Sequence, residues 1–203
     1  LRYEGDSKFV GSKKEWGLFP SVSAAWRISK ERFMQNVKFV DDLKLRAGYG
    51  VTGTAPSAYY QTIARLAYTG TGNSFYYDGE WVTPIQPANN VNTNFTWEKK
   101  HEYNIGLDFS LLKGRLSGSV DFYNRKTTDL LWDFSVPVPP YEYGTTTANI
   151  GTITNKGVEV ALNFVPVKTR LVTWRSSVMF STNSSKLTEL DYSAFEVENP
   201  RDY

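Results

Sequence analysis

The chain has 203 residues, with 23 Lys and Arg against 21 Asp and Glu, a single His and no Cys, which excludes a disulfide framework, thiolate chemistry, an imidazole-rich zinc site and a strongly basic nucleic-acid footprint. Hydrophobic residues make up 40% and aromatic ones 15%, too rich a mixture for a disordered chain. No apolar run exceeds three residues and the mean hydropathy is −0.42; this rules out a transmembrane helix but not a membrane barrel, whose strands alternate lipid-facing and lumen-facing side chains.

Leu1 to Tyr3 read as the remnant of a strand. Trp16 to Ile28 alternate with period 2, Leu18, Val22, Ala24 and Trp26 on one face, and pair with Leu43 to Val51, where Leu43, Leu45, Ala47 and Tyr49 share a face. Their connection, Ser29 to Asp42, has room for a helical turn through Phe33 and Val37. Trp16 and Trp26 have equal parity, and ten residues at a tilt of about 40° project to roughly 25 Å, the height of an apolar membrane band. Both rings fit the core of a soluble sandwich equally well.

A long connection follows, Thr54 to Thr96, rich in Gly, Pro, Asn, Thr and Tyr. The clearest strand is Tyr103 to Leu111, with Tyr103, Ile105, Leu107, Phe109 and Leu111 on one face. Across the turn Lys113-Gly114-Arg115 its partner sets Leu116, Val120 and Phe122 against Ser117, Ser119, Asp121, Tyr123 and Arg125. A second long connection runs from Asp133 to Ile150. The last hairpin pairs Val158, Val160, Leu162 and Phe164 with Trp174, Val178 and Phe180 through a short link around Lys168 to Arg170. Short turns alternating with long loops, and alternation sustained beyond the five or six residues common in soluble strands, predict an all-β antiparallel transmembrane barrel segment of about seven strands, the first a remnant.

Candidate chemical sites are few. Gly48-Tyr49-Gly50-Val51-Thr52-Gly53 has the form G-x-G-x-x-G, and Pro56 could open a short helix from Ser57 to Leu66. Lys44 and Arg46 spoil the buried strand that a dinucleotide fold needs, and no acidic residue lies between Gly53 and Asp78, so the glycines read as strand glycines. His101 between Glu98 and Glu102 reads as a charged strand end, because strand neighbours one and three apart point to opposite faces. Asp108 and Asp121 are expected to face one another across a hairpin, as a carboxylate pair would; the lining of a wet lumen explains them without catalysis. The loops carry Tyr59, Tyr60, Tyr68, Phe75, Tyr76, Tyr77, Trp81, Tyr141 and Tyr143, rings suited to stacking on sugars, to anchoring a protein, or to packing the loops themselves. Tyr76, Tyr77 and Trp81 are the candidate contacts to substrate or partner.

Several stretches resemble the SusC/RagA-type TonB-dependent outer-membrane transporters: Leu1 to Phe9 (LRYEGDSKF), Trp16 to Arg27 (WGLFPSVSAAWR), Asp42 to Gly50 (DLKLRAGYG), Trp97-Glu98-Lys99 with Tyr103 to Phe109 (YNIGLDF), Asp121-Phe122-Tyr123 with Thr127 to Leu131, and Asn155 to Glu159 (NKGVE). The resemblance implies a late part of a larger outer-membrane barrel whose family carries an N-terminal plug and a TonB-contacting segment. It also implies uptake of oligosaccharides or peptides, a SusD-like surface lipoprotein over the mouth, and drive from the TonB complex through the N-terminal part. The matching motifs are scaffold strands, so no substrate-contact residue is carried over. Leu1 is not an initiator methionine and Tyr203 ends in a polar stretch, marks of an excised segment: residues 1–203 are expected to be one part of a single barrel domain, without plug or closing strands.

The expectation is therefore a nutrient-transporter segment in the cell outer membrane, in contact with its lipid and not with nucleic acid, and not an enzyme. It has no catalytic, cofactor-binding or metal-binding residues and needs no cofactor. A secreted carbohydrate-binding β-sandwich is the alternative, and a barrel-embedded hydrolase a third reading.

Overall fold

The computed structural model describes residues 1–12, 14–69 and 71–190; the polar stretch that ends at Tyr203 lies outside them. Strand β1 (Arg2–Gly5) pairs with β2 (Trp16–Phe19), and β3 (Ser21–Arg27) follows at once. The principal strands are then β4 (Val40–Thr54), and, after a long loop holding β5 (Leu66–Tyr68), β6 (Phe75–Tyr77), β7 (Glu80–Val82) and β8 (Ile85–Pro87), the strands β9 (Glu98–Leu111), β10 (Leu116–Ser135), β11 (Thr145–Lys168) and β12 (Thr173–Leu190). One antiparallel sheet of six strands results, ordered β12-β11-β10-β9-β4-β3. Every neighbour in that order is also the nearest principal strand in sequence, as short hairpin turns dictate.

The register lines the alternating residues up into rows. Trp26 lies opposite Leu45, Leu45 opposite Leu107, Leu107 opposite Val120, Val120 opposite Val160, and Val160 opposite Phe180. The next row runs Ala24, Ala47, Ile105, Phe122 and Val158. One face of the sheet is thus apolar across all six strands. Away from the end that carries the long loops it is also uncovered: Val22 is 67% exposed, Ile105 53% and Phe180 59%. A sandwich would lay a second sheet on this face; among the described residues none does, so the sandwich alternative is discarded. Hydrocarbon is the solvent such a face requires.

Several expected elements differ in detail. The strand expected from Trp16 to Ile28 is interrupted at Pro20, which has no N–H to give to a ladder; its carbonyl accepts from the Val51 N–H at 2.9 Å, and pairing resumes beyond it. Trp16 and Trp26 therefore lie on separate strands, and the ten-residue span does not measure a membrane band. The helical turn expected through Phe33 and Val37 is replaced by two 3-10 turns, Ile28–Lys30 and Arg32–Met34, as Ser29 hydrogen-bonds Asp42 at 2.7 Å and ties the connection back to β4. No helix follows Pro56; the Asn89 side chain engages the backbone of Ile63 and Arg65 instead. The loop expected from Asp133 to Ile150 is much shorter, since β10 runs to Ser135 and β11 starts at Thr145.

At the end of the sheet that carries the long loops, Phe9, Phe19, Val51, Phe95 and Trp97 form the buried cluster. A Cβ on Gly53 would stand 2.2 Å from the Phe19 ring and 2.9 Å from Trp97. Only a residue without a side chain lets both rings lie on β4. Ser12 Oγ donates to the Phe95 carbonyl at 2.6 Å and Trp97 Nε1 to Glu15 at 3.1 Å, pinning the β1–β2 connection over the cluster.

Candidate functional site

The polar face of the sheet is charged and internally paired. Arg46 on β4 donates to both oxygens of Asp108 on β9 at 2.8 Å, and to Asp121 on β10 at 3.0 and 3.2 Å. Asp108 lies opposite Ser119 and Asp121 opposite Gly106, so the carboxylates are diagonal rather than face to face. The facing pair expected from the sequence is corrected: each carboxylate is held by the same guanidinium, a structural clamp with no free acid and base. Four residues beyond the Gly106–Asp121 pair along β9 and β10 toward the long loops, Glu102 and Arg125 approach to 3.0 Å.

His101 is hydrogen-bonded through Nδ1 to the Tyr49 hydroxyl at 3.0 Å. Its flanking carboxylates are used elsewhere, Glu102 by Arg125 and Glu98 by the Leu131 N–H. Among the described residues no three His, Asp or Glu side chains gather as a metal site. Gly48, Gly50 and Gly53 all lie within β4, where the G-x-G-x-x-G spacing is strand backbone and no phosphate loop.

The loop aromatics stand on a small arm. Strands β5 and β8 pair, and beyond them β6 pairs with β7 around Asp78 and Gly79, both at positive φ. Tyr76 lies opposite Trp81, their rings edge to face at 5.6 Å. Tyr77 lies opposite Glu80, and strand alternation turns it to the other side of the arm. Of the three candidate contacts, the fold unites Tyr76 and Trp81 and separates Tyr77 from them. Trp81 is 73% exposed, an unsatisfied apolar ring at the loop end of the molecule.

What the sequence reading missed is the row of asparagines that seats this loop. Asn90 exchanges hydrogen bonds with the Tyr143 backbone and donates to the Thr145 carbonyl at 2.9 Å, Asn92 donates to the Thr147 carbonyl at 3.0 Å, and Asn149 bonds both the N–H and the carbonyl of Thr96 at 2.9 Å. Asparagine matches a peptide group donor for acceptor, so it can stitch an irregular segment to strand backbone. The dense run Asn89-Asn90-Val91-Asn92-Thr93-Asn94 was the available signal.

The family described as "TonB dependent receptor-like, beta-barrel" matches residues 1–202. The chain belongs to this family. It is 35% identical over 190 residues to the TonB-dependent receptor SusC of Bacteroides thetaiotaomicron, covering 94% of this chain and 19% of that protein. A TonB-dependent receptor of Formosa agariphila is 36% identical over 198 residues, 97% of this chain and 18% of its own length. The fold superposes on the RagAB peptide importer in its closed-closed state with a TM-score of 0.78 at 27% identity, over 96% of this chain and 20% of that one. This receptor segment is of the SusC/RagA type and spans about a fifth of the length of those relatives. Its relatives are receptors and transporters rather than enzymes, so the hydrolase reading falls. The chain is part of an outer-membrane barrel, with the apolar face of the sheet toward lipid and the charged face toward the lumen.

Proposed function

We propose that the parent protein is an active transporter that takes up oligosaccharides or peptides across the outer membrane, driven through TonB and covered by a SusD-like surface lipoprotein. Residues 1–203 then form part of one barrel domain whose plug and closing strands lie elsewhere in the parent. The observation that carries this reading is the division between the two faces. Rows of apolar residues cross the lipid side, while the lumen side presents a predominantly polar wall held in place by its own ion pairs. A wet wall of this kind suits a wide passage for hydrophilic solutes.

The long loops, including the arm with Tyr76 and Trp81, stand outside the cell in this reading, and the Lys113 to Arg115 turn faces the periplasm. Paired edge-to-face rings present a broad apolar surface at low entropy cost, suited to a pyranose face or to a side chain of a peptide or lipoprotein. Tyr77, on the opposite side of the arm, serves a separate contact.

The test is uptake by the parent protein in cells, with defined oligosaccharides and defined peptides supplied separately. Trp81→Ala with Tyr76→Ala is expected to weaken capture or lipoprotein docking by about tenfold or more while the barrel assembles normally. Uptake unaffected by loss of TonB would overturn the active-transport reading. Unchanged binding in the double variant would reduce the arm to loop packing.

A further inference from the structure

The lipid side of the sheet carries charge of one sign at one end. Along the stretches of unbroken register, the charged residues in line with the apolar rows are Lys99 on β9, Lys126 on β10, Lys156 on β11 and Lys186 on β12. All four are lysines, and all four lie on the long-loop side of the apolar rows, Lys126 and Lys156 near the middle of their long strands and Lys99 and Lys186 near the loop ends of theirs. The corresponding positions at the other end are Trp26, Leu43, Leu111, Leu116 and Phe164. The lumen side, built from the same strands, mixes the signs freely: Lys44, Arg46, Glu102, Asp108, Asp121, Arg125 and Glu159. Composition therefore does not account for the segregation.

Three of these lysines converge. Lys126 and Lys186 both lie opposite Thr154, one on each side of β11, two strand spacings or about 9.6 Å apart. Lys156 stands two residues further along β11 on the same face, about 7 Å from Thr154. The triangle is exposed, and none of the three ammonium groups is in an ion pair with a described residue. The nearby carboxylate of Glu189 accepts from Thr152 Oγ1 at 2.9 Å. Like charges held this close repel, and no described carboxylate closes an ion pair with any of them. The apolar residues Phe122 and Val158 begin four positions before Lys126 and two after Lys156, which places the triangle at the edge of the hydrocarbon, at headgroup depth.

We propose that Lys126, Lys156 and Lys186, with Lys99 beside them, hold the phosphate groups of lipids in the outer leaflet of the outer membrane. The assignment to the outer leaflet rests on the reading that the long loops face outward. A phosphorylated glycolipid carrying two phosphates offers the complementary charge at a spacing that three separated ammonium groups can bridge, with its acyl chains on the rows of Phe122, Val158 and Phe180. The lysines anchor the barrel at a defined depth and gather a shell of anionic lipid around this sector of its wall.

The experiment uses the full-length parent in neutral detergent, with native mass spectrometry reading the lipid retained. Three probes are compared: bisphosphorylated lipid A, the same lipid with its phosphates removed, and inorganic phosphate. The parent is expected to retain the bisphosphorylated lipid and not the dephosphorylated one, and millimolar inorganic phosphate is expected not to compete. Lys126→Gln, Lys156→Gln and Lys186→Gln combined should weaken retention by on the order of a hundredfold, roughly fivefold for each cation at a charged lipid surface. The three Lys→Arg replacements should restore it. Removing Lys30, Lys38 and Lys168 at the turn end should leave it unchanged. Heat-modifiable migration of each variant shows that the barrel has assembled.

Equal retention by parent and triple variant overturns the proposal, and equal affinity for inorganic phosphate assigns the site to a free anion instead. Retention in detergent does not depend on which way the loops face. Cysteine labelling at Asn73 reports the orientation separately, and an inward-facing loop end combined with normal lipid retention would overturn the outer-leaflet assignment alone.

Discussion

Arg46 reaches Asp121 across the bare backbone of Gly106. The guanidinium passes over β9 where a Cβ would stand 2.8 Å from Arg46 Cζ and 2.3 Å from Asp121 Oδ1, and so links β4 to β10 with β9 between them. The same guanidinium holds Asp108 on β9 itself. One side chain thereby ties three strands on the lumen wall, and the space it needs is a missing methyl group.

Gly106→Ala should break the Arg46–Asp121 link and leave the Arg46–Asp108 pair. The obstacles it meets are the ends of flexible side chains, which can swing into the wet lumen, so the expected loss is about 1 kcal/mol or less, as befits a partly exposed ion pair. A double-mutant cycle of Gly106→Ala with Asp121→Asn in the refolded parent should show strong coupling, because both changes remove one interaction. Additive losses would show that the link contributes nothing.

Gly157→Ala should cost more. Its Cβ would stand 2.1 Å from the Thr182 carbonyl oxygen and 2.5 Å from Tyr123 Oη. Backbone of a neighbouring strand cannot swing aside, so β11 and β12 must separate locally, at about 1–3 kcal/mol. Urea titrations of the two glycine variants in the same lipid should rank Gly157→Ala as the less stable.

Leu107 and Asp108 are adjacent in sequence and point to opposite solvents. Leu107→Arg puts a cation between Leu45 and Val120 on the lipid side, at about 2–4 kcal/mol near the bilayer midplane. Asp108→Ala frees Arg46 into an aqueous lumen and should cost about 1 kcal/mol or less. Equal stability of these variants in a lipid-refolding titration would reverse the faces of the sheet.

Asn149→Ala removes the two bonds to Thr96 and a third to the Asp129 carbonyl at 2.7 Å. Each such bond contributes about 1 kcal/mol. Hydrogen exchange of the Thr96 amide and its loop neighbours should accelerate by about tenfold or more, while amides of β9 below Glu102 keep their protection.

Cysteine placed at Asn73 in the loop arm and at Arg115 in the tight turn should react differently with an impermeant thiol reagent on intact cells. None of these 203 residues is a cysteine, so each introduced thiol is read against the parent without it. Asn73→Cys is expected to label and Arg115→Cys to be spared; the reverse pattern would invert the barrel in the membrane.

Alternation alone determined the principal strands and their faces, because a strand's side chains project with period 2 and each face meets a different solvent. Leu107 and Asp108 needed no neighbours to be assigned. The hairpin registers followed from the turns, whose length leaves one pairing that keeps apolar residues together. What only the tertiary structure decided were relationships between residues far apart in the chain. Arg46 and Asp121 are brought together by strand order, and nothing near either in sequence announces the gap at Gly106. The asparagine run reads as polar loop until Thr96 and Asn149 lie side by side. Lys126, Lys156 and Lys186 stand thirty residues apart as ordinary surface lysines, and become a triangle only when three strands in register set them around Thr154. Pro20 shows the same limit in reverse, since alternation continued through it on paper while its missing N–H ended the strand.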